Sequence, residues 1–98
     1  RVEGVKLKDT VTGEESVVAT DAVFVAIGYV PNTSMLKGKI DWDESGYVVT
    51  RDLTRTSVEG VFVAGDNQDK WYKQAITAAG AGCRAALDVV KYLQEHPL

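Results

Sequence analysis

Apolar residues in this chain follow three rhythms, and each predicts a different element. Over residues 2–8 they alternate, with Val5 and Leu7 on one face and Lys6 and Lys8 on the other. That period of two marks a half-exposed strand. Residues 9–14 hold Thr12-Gly13, where glycine can supply the positive φ of a hairpin turn. Residues 15–20, with Val17-Val18, return as a second strand. Residues 21–27 (Asp-Ala-Val-Phe-Val-Ala-Ile) are apolar almost throughout and predict a third, more deeply buried strand. Such a β-meander, apolar on one face, needs a partner layer.

The second rhythm is an unbroken run. Residues 61–64, Val-Phe-Val-Ala, are β-branched, aromatic and small, which predicts a short strand buried on both faces, as in a parallel sheet. The third has a helical period. From residue 74 to about residue 94, Ile76, Ala79, Cys83, Leu87, Val90 and Leu93 recur at steps of three and four, one stripe of an amphipathic helix. Arg84, Asp88 and Lys91 lie off that stripe and are expected at the solvent, with Arg84 and Asp88 spaced for a weak pair. Gly80 and Gly82 each cost roughly 1 kcal/mol of helix propensity relative to Ala, a cost tolerated where backbone packs closely.

Polar segments join these elements. Ala26-Ile27-Gly28-Tyr29-Val30-Pro31 reads as a strand end and a turn, because Pro31 makes Val30 extended and Gly28 can take unusual dihedrals. Residues 34–39 are a connecting loop anchored by Met35-Leu36. Asp43-Glu44-Ser45-Gly46 reads as a hairpin turn, with Trp42 and Tyr47 as packing partners across it. Asp41, Asp43 and Glu44 lack the glycine and terminal glutamate spacing of a calcium loop and read as a solvated turn. The overall expectation is an α/β piece: the last strand and long C-terminal helix of a larger sheet domain, preceded by a β-meander.

Composition narrows the class. The 98 residues carry a net charge of −3 and 45% hydrophobic content, ordinary for a globular core. With eleven Lys and Arg and no basic cluster, a nucleic-acid surface is not expected. No apolar run approaches the ~18 residues that span a bilayer, so no membrane partner is expected either. The lone Cys83 excludes an internal disulfide and suits a reducing, cytoplasmic setting. The chain opens at Arg1 directly on a strand-like pattern, so a piece of something longer is expected.

The chemistry gathers after residue 64. Gly65 ends the apolar run, and Asp66 follows at the strand's carboxyl end, where open α/β sheets place their ligands. A polar loop then leads to the helix start near Gln74, whose free N–H groups and positive dipole end face the same region. A carboxylate acceptor beside donor amides suits a ligand with hydroxyls and an electron-rich carbonyl. Trp71 and Tyr72 either line such a pocket or an interface, or pack as a staple at the helix start. Cys83 reads as an inert, buried small hydrophobe, and His96 as an idle residue of a frayed 96–98 tail.

In order and spacing, Thr-Ser-x-x-Gly-Val-Phe-x-Ala-Gly-Asp over residues 56–66, Tyr-Lys-Gln-Ala over 72–75 and Ala-Gly-x-Gly-Cys-x-Ala-Ala over 79–86 resemble the C-terminal third of the low-molecular-weight thioredoxin reductases. The resemblance runs through the whole chain. It implies that residues 1–28 close an NADPH-binding domain and residues 29–98 finish an FAD-binding, Rossmann-like domain, with a domain-rotation hinge near Gly28. It also implies FAD and NADPH as cofactors, thioredoxin as protein partner, and a homodimeric parent enzyme. The expected cofactor-binding residues are Gly65, Asp66, Lys73, Gln74 and Ala75. By that resemblance Asp66 accepts from the ribityl hydroxyls, and backbone N–H groups at Gln74 and Ala75 meet the flavin's C2 carbonyl side. Lys73 stands where Arg is usual, keeping the charge without the planar fork.

No G-x-G-x-x-G phosphate loop and no Cys-x-x-Cys occur here, so no catalytic or metal-ligating residue is assigned, and the 98-residue chain is expected to be inactive alone. The alternatives are an alkyl hydroperoxide reductase flavoprotein subunit, a ferredoxin–NADP reductase of similar architecture, a truncated piece with structural content only, or a small interaction module. A severed piece would also expose the strand and helix faces its neighbours should cover, inviting self-association.

Overall fold

The computed structural model describes residues 1–97, and its first element is the hairpin that the alternation predicts. β1 (Gly4–Lys8) and β2 (Glu15–Ala19) pair antiparallel, Gly4 opposite Ala19 and Lys8 opposite Glu15. The turn closes because Asp9 N–H donates to Glu14 C=O and Gly13 N–H to Asp9 C=O, both at 2.9 Å. Gly13 takes the positive φ of 76° that this turn requires. The Asp9 carboxylate accepts from the N–H groups of Val11 and Thr12. Those bonds, Thr12's first, hold its carboxyl below the ordinary 3.8.

The third strand does not form. Residues 22–26 carry no strand pairing, and Phe24 and Ile27 are each 92% exposed where burial was expected. A strand apolar on both faces gains its stability from neighbours and from layers above and below. None of the described residues offers either, so the segment stays an unpaired, extended connector. Gly28 lies in it with φ 97° and open space around it.

Burial is concentrated farther along. Ile40, Tyr47, Val48 and Ala81 form the apolar centre, joined by Thr33, Thr54 and Thr56. Each threonine hydroxyl is bonded: Thr33 to Gly46 C=O at 2.6 Å, Thr54 to the Asp88 carboxylate, Thr56 to Val61 C=O at 3.0 Å. Buried hydroxyls need such partners. The predicted 43–46 turn is present, with Gly46 N–H donating to Asp43 C=O at 2.9 Å and Asp43 N–H to Tyr47 C=O at 2.8 Å. Trp42 bridges Val48, not Tyr47. The Asp43 carboxyl is held low first by the Lys70 ammonium at 3.0 Å and then by Tyr47 N–H.

The 61–64 run is likewise less than a doubly buried strand. It makes one bridge, Phe62 to Arg55, with Val63 N–H donating to Thr54 C=O at 2.9 Å. Val61 is 39% exposed.

The long helix forms as the periodicity predicts. α1 spans Ala75–Glu95, after Gln74 at its N-cap. Its covered face is the opposite of the predicted one. Ala81 is buried, and Ala78, Ala85, Asp88, Val89 and Tyr92 are half-buried. At about 100° per residue that stripe lies across the helix from Ile76, Cys83, Leu87 and Val90, all of which are exposed. Small alanines let the preceding loop approach closely. The bulkier stripe finds no layer among the described residues, so Cys83 is exposed, not buried. Asp88 turns inward to Thr54, and the paired charge on this helix is Lys91 with Glu95 at 3.9 Å.

At the C-terminal end His96 is held rather than frayed. Its N–H donates to Tyr92 C=O at 2.9 Å, its ring stacks on Tyr92 at 4.3 Å, and Nε2 lies 3.6 Å from Glu59. The rest of that predicted tail includes Leu98, which lies outside the described residues.

The molecule is drawn out to 63 × 27 × 20 Å with a radius of gyration of 20.1 Å, against about 13 Å for a compact chain of this length. Its accessible surface is 8023 Å², where a compact monomer of this mass would show about 5,500 Å². Exposed large apolar residues lie in the 22–30 connector, the hairpin and the outer helix stripe, among them Val17, Phe24, Ile27 and Ile76.

Candidate functional site

Ala64 is still extended (φ −148°, ψ 156°), and Gly65 reverses the chain at φ 81°. A 3-10 turn over Gly65–Asn67 follows, with the N–H groups of Gln68 and Asp69 both donating to Gly65 C=O at 3.0 Å. Gly65 is buried against the first turn of α1, where a Cβ would meet the Ala78 Cβ at an ordinary 3.7 Å. Glycine is therefore required by the dihedral and not by lack of space. Asn67 C=O accepts from Val48 N–H at 2.9 Å, which ties this turn to the buried 47–48 pair. Asp66 is exposed, and its carboxylate makes no hydrogen bond or ion pair with the described residues.

The loop between this turn and the helix is organised by a residue that the sequence reading passed over. The Asp69 carboxylate accepts the N–H groups of Trp71 (3.0 Å), Tyr72 (2.9 Å) and Lys73 (3.1 Å), and the Thr77 hydroxyl at 3.2 Å. The Tyr72 bond leads in keeping its carboxyl below the ordinary range. A signal was present: an aspartate a few residues before a helix can gather successive N–H groups in an Asx-type turn. Trp71 and Tyr72 do not staple the helix start, being 80% and 70% exposed.

Lys73 is held at φ 52°, a left-handed conformation that non-glycine residues seldom adopt. Its ammonium lies 5.1 Å from the Tyr47 ring centre and 5.8 Å from that of Tyr29, within cation–π range. Gln74 is extended at the N-cap; its N–H donates to the Thr77 hydroxyl at 3.2 Å and its side-chain amide to Tyr72 C=O at 2.9 Å. The first helical bond runs from Ala78 N–H to Gln74 C=O at 2.9 Å. The N–H groups of Ala75 and Ile76 therefore have no acceptor among the described residues, whereas that of Gln74 is engaged.

Gly65 thus meets the first turn of α1 at Ala78, and Lys73, Gln74 and Ala75 are the residues that lead into that turn. A carboxylate free to accept and two backbone N–H groups free to donate lie on elements packed together. Such a set fits a polyhydroxyl chain attached to a carbonyl-bearing ring. The five residues do not line the clefts beside them. One cleft of about 630 Å³ is walled by Asp69, Trp71, Tyr72, Thr77 and Arg84; another of about 540 Å³ lies between Arg51, Arg55, Phe62 and Tyr92. Among the described residues no three His, Cys, Asp or Glu are grouped to hold a metal ion, and no helix is long and apolar enough to cross a membrane.

Residues 1–82 match the family model described as pyridine nucleotide-disulphide oxidoreductase. Over 95 residues the chain is 54% identical to a thioredoxin reductase of Rickettsia typhi, covering 96% of this chain and 31% of that protein. It is 57% identical over 93 residues to thioredoxin reductase 2 of Arabidopsis thaliana, covering 94% and 24%. Among solved structures, a thioredoxin reductase from Giardia duodenalis superposes with a TM-score of 0.74 at 40% identity, covering 94% of this chain and 31% of that one. One from T. acidophilum gives 0.70 at 45%, covering 95% and 30%. The chain therefore spans under a third of the length of these relatives.

Proposed function

The chain belongs to the pyridine nucleotide-disulphide oxidoreductases, and on that premise we propose that it is the C-terminal part of a thioredoxin reductase, in which it forms one wall of the FAD site. The observation that carries this reading is the pairing of an unengaged acceptor with unengaged donors. Asp66 follows a buried left-handed glycine packed on the first turn of α1, and the N–H groups of Ala75 and Ile76 at that same turn have no acceptor. Residues 1–28 would close the NADPH-binding domain, and residues 29–98 the FAD-binding, Rossmann-like domain. The exposed Ile76–Cys83–Leu87–Val90 stripe and the unpaired apolar connector support this division, since both are surfaces that a sheet layer from a longer protein would cover.

FAD, when bound, supplies the redox chemistry that relays electrons from NADPH to a cysteine pair and on to thioredoxin. This chain's residues bind and orient it. Asp66 accepts hydrogen bonds from ribityl hydroxyls. Gly65 supplies the left-handed backbone that turns the chain from Ala64 into Asp66. Ala75 N–H, at the positive end of a 21-residue helix, stabilises negative charge on the ring's carbonyl edge. Gln74 contributes by capping that helix, and Lys73 by a point charge leaning on two aromatic rings. The NADPH site, the cysteine pair and the homodimer contacts belong to the remainder of the protein, working in a reducing, cytoplasmic compartment.

The test is Asp66→Ala in the full-length protein. One charge-assisted hydrogen bond is worth about 1.5–3 kcal/mol, so FAD should bind roughly 10- to 100-fold more weakly. Because the carboxylate has no partner among the described residues, the unfolding midpoint of the apoprotein should stay put. Full flavin occupancy after exhaustive dialysis of the variant would overturn the assignment.

A further inference from the structure

We infer that Asp69 is a positioning residue of this site: its carboxylate holds residues 71–73 in the one shape that leaves the N–H groups of Ala75 and Ile76 open to a ligand. The inference rests on the flavin reading above and adds to it a residue that touches no ligand. Four donors converge on Asp69, three of them successive backbone N–H groups and the fourth the Thr77 hydroxyl inside α1. The carboxylate thus spans the loop and the helix it leads into.

Two features show what this does. Lys73 sits at φ 52° although it has a side chain, a conformation that persists only where surrounding bonds over-determine it. Its own N–H bond to Asp69 is one of those bonds. The Thr77 hydroxyl accepts Gln74 N–H at 3.2 Å, and its one proton is shared between the Asp69 carboxylate at 3.2 Å and Gln74 C=O at 2.8 Å. Asp69 and Thr77 together therefore satisfy the N–H groups of residues 71–74, and Ala75 and Ile76 are the next two along, left unbonded. Without the carboxylate, the three loop amides would seek other acceptors and Lys73 would relax toward negative φ, so the ligand-competent loop would be a minor conformer. Apparent affinity falls in proportion to the competent fraction.

The experiment compares full-length Asp69→Asn, Thr77→Val, Asp43→Asn and Asp66→Ala proteins, reading the dissociation constant for FAD at a temperature where each apoprotein is fully folded by circular dichroism. Asp69→Asn should weaken FAD at least tenfold and make the midpoint potential of the bound flavin more positive, as removal of a fixed negative charge near it requires. Thr77→Val, which removes one of the four donors to Asp69 together with the acceptor of Gln74 N–H, should weaken FAD about threefold. Asp43→Asn is the control: that carboxylate also collects two backbone N–H groups and a lysine but accepts no N–H from residues 71–74, and should leave the constant within twofold. An Asp69 that merely stabilised the fold would lower the melting temperature and leave both the constant of the folded protein and its potential alone; that result sinks the inference. Should Asp69→Asn fail to fold, an unchanged constant in Thr77→Val is sufficient to reject it. Loss of FAD in Asp66→Ala with none in Asp69→Asn rejects Asp69 alone, whereas no loss in Asp66→Ala rejects the flavin reading beneath it.

Discussion

Thr54 is 1% exposed, and its hydroxyl donates to Asp88, 34 residues away on α1. Its carbonyl accepts Val63 N–H at 2.9 Å, so this one residue pins the segment leading to Gly65 onto the helix whose start faces the site. Thr54→Val keeps the shape and the backbone bond and deletes only the hydroxyl, leaving a methyl against a carboxylate. A hydrogen bond to a charged group contributes about 1.5–3 kcal/mol. Asp88 is half-buried, so water recovers part of the loss, and the cost should fall at the low end, about 1.5 kcal/mol, roughly a tenfold change in the folded-to-unfolded ratio. Urea unfolding of the full-length apoprotein, followed by tryptophan fluorescence, measures it free of any stabilisation by bound ligand. In an Asp88→Ala background the same substitution should cost under about 0.5 kcal/mol, because the partner is already gone. A single-variant cost below about 0.5 kcal/mol, or two variants whose costs simply add, would refute the view that this bond clamps the helix to the site.

Two further outcomes are expected beside those already stated for Asp66 and Asp69. Gly65→Ala should destabilise by about 1 kcal/mol, since left-handed backbone costs a residue with a Cβ about 1–2 kcal/mol, offset in part by a less flexible unfolded chain; the Cβ itself would meet only Ala78 at 3.7 Å. A neutral or stabilising result in urea melts would show that Gly65 can relax out of φ 81°. The carboxyls of Asp9, Asp43 and Asp69 are held below 3.8 by their hydrogen bonds. A depressed folded value contributes stability that is complete above the unfolded value and is lost as pH falls through the folded one. The urea midpoint should therefore be insensitive to these groups down to about pH 5 and fall below pH 4, with a shallower fall in Asp43→Asn; an identical acid limb in that variant would contradict the Lys70–Asp43 contact.

Elements whose bonds close within a few residues were legible from residue order. The hairpin of β1 and β2, the turn at Gly13, the turn at residues 43–46 and the limits of α1 to within one residue all depend on local dihedral preference and on hydrogen bonds spanning short separations. The run of motifs around Gly65-Asp66 and Gln74-Ala75 was legible too, and so was the family to which they point. Everything that depends on a second surface was not. Helical periodicity finds stripes but does not say which one is covered: Ala78–Ala81–Ala85 and Ile76–Cys83–Leu87 share the same period, and the loop at Gly65 packs on the first. Residues 21–27 carry a strand's composition, yet a strand exists only where another backbone pairs with it. Asp88 looked like a solvent charge until the fold brought Thr54 to it, and Asp69 looked like loop polarity until three amides and a hydroxyl turned toward its carboxylate. Local preference is written residue by residue, whereas burial and partnership are properties of pairs, and only the folded chain decides which pairs meet.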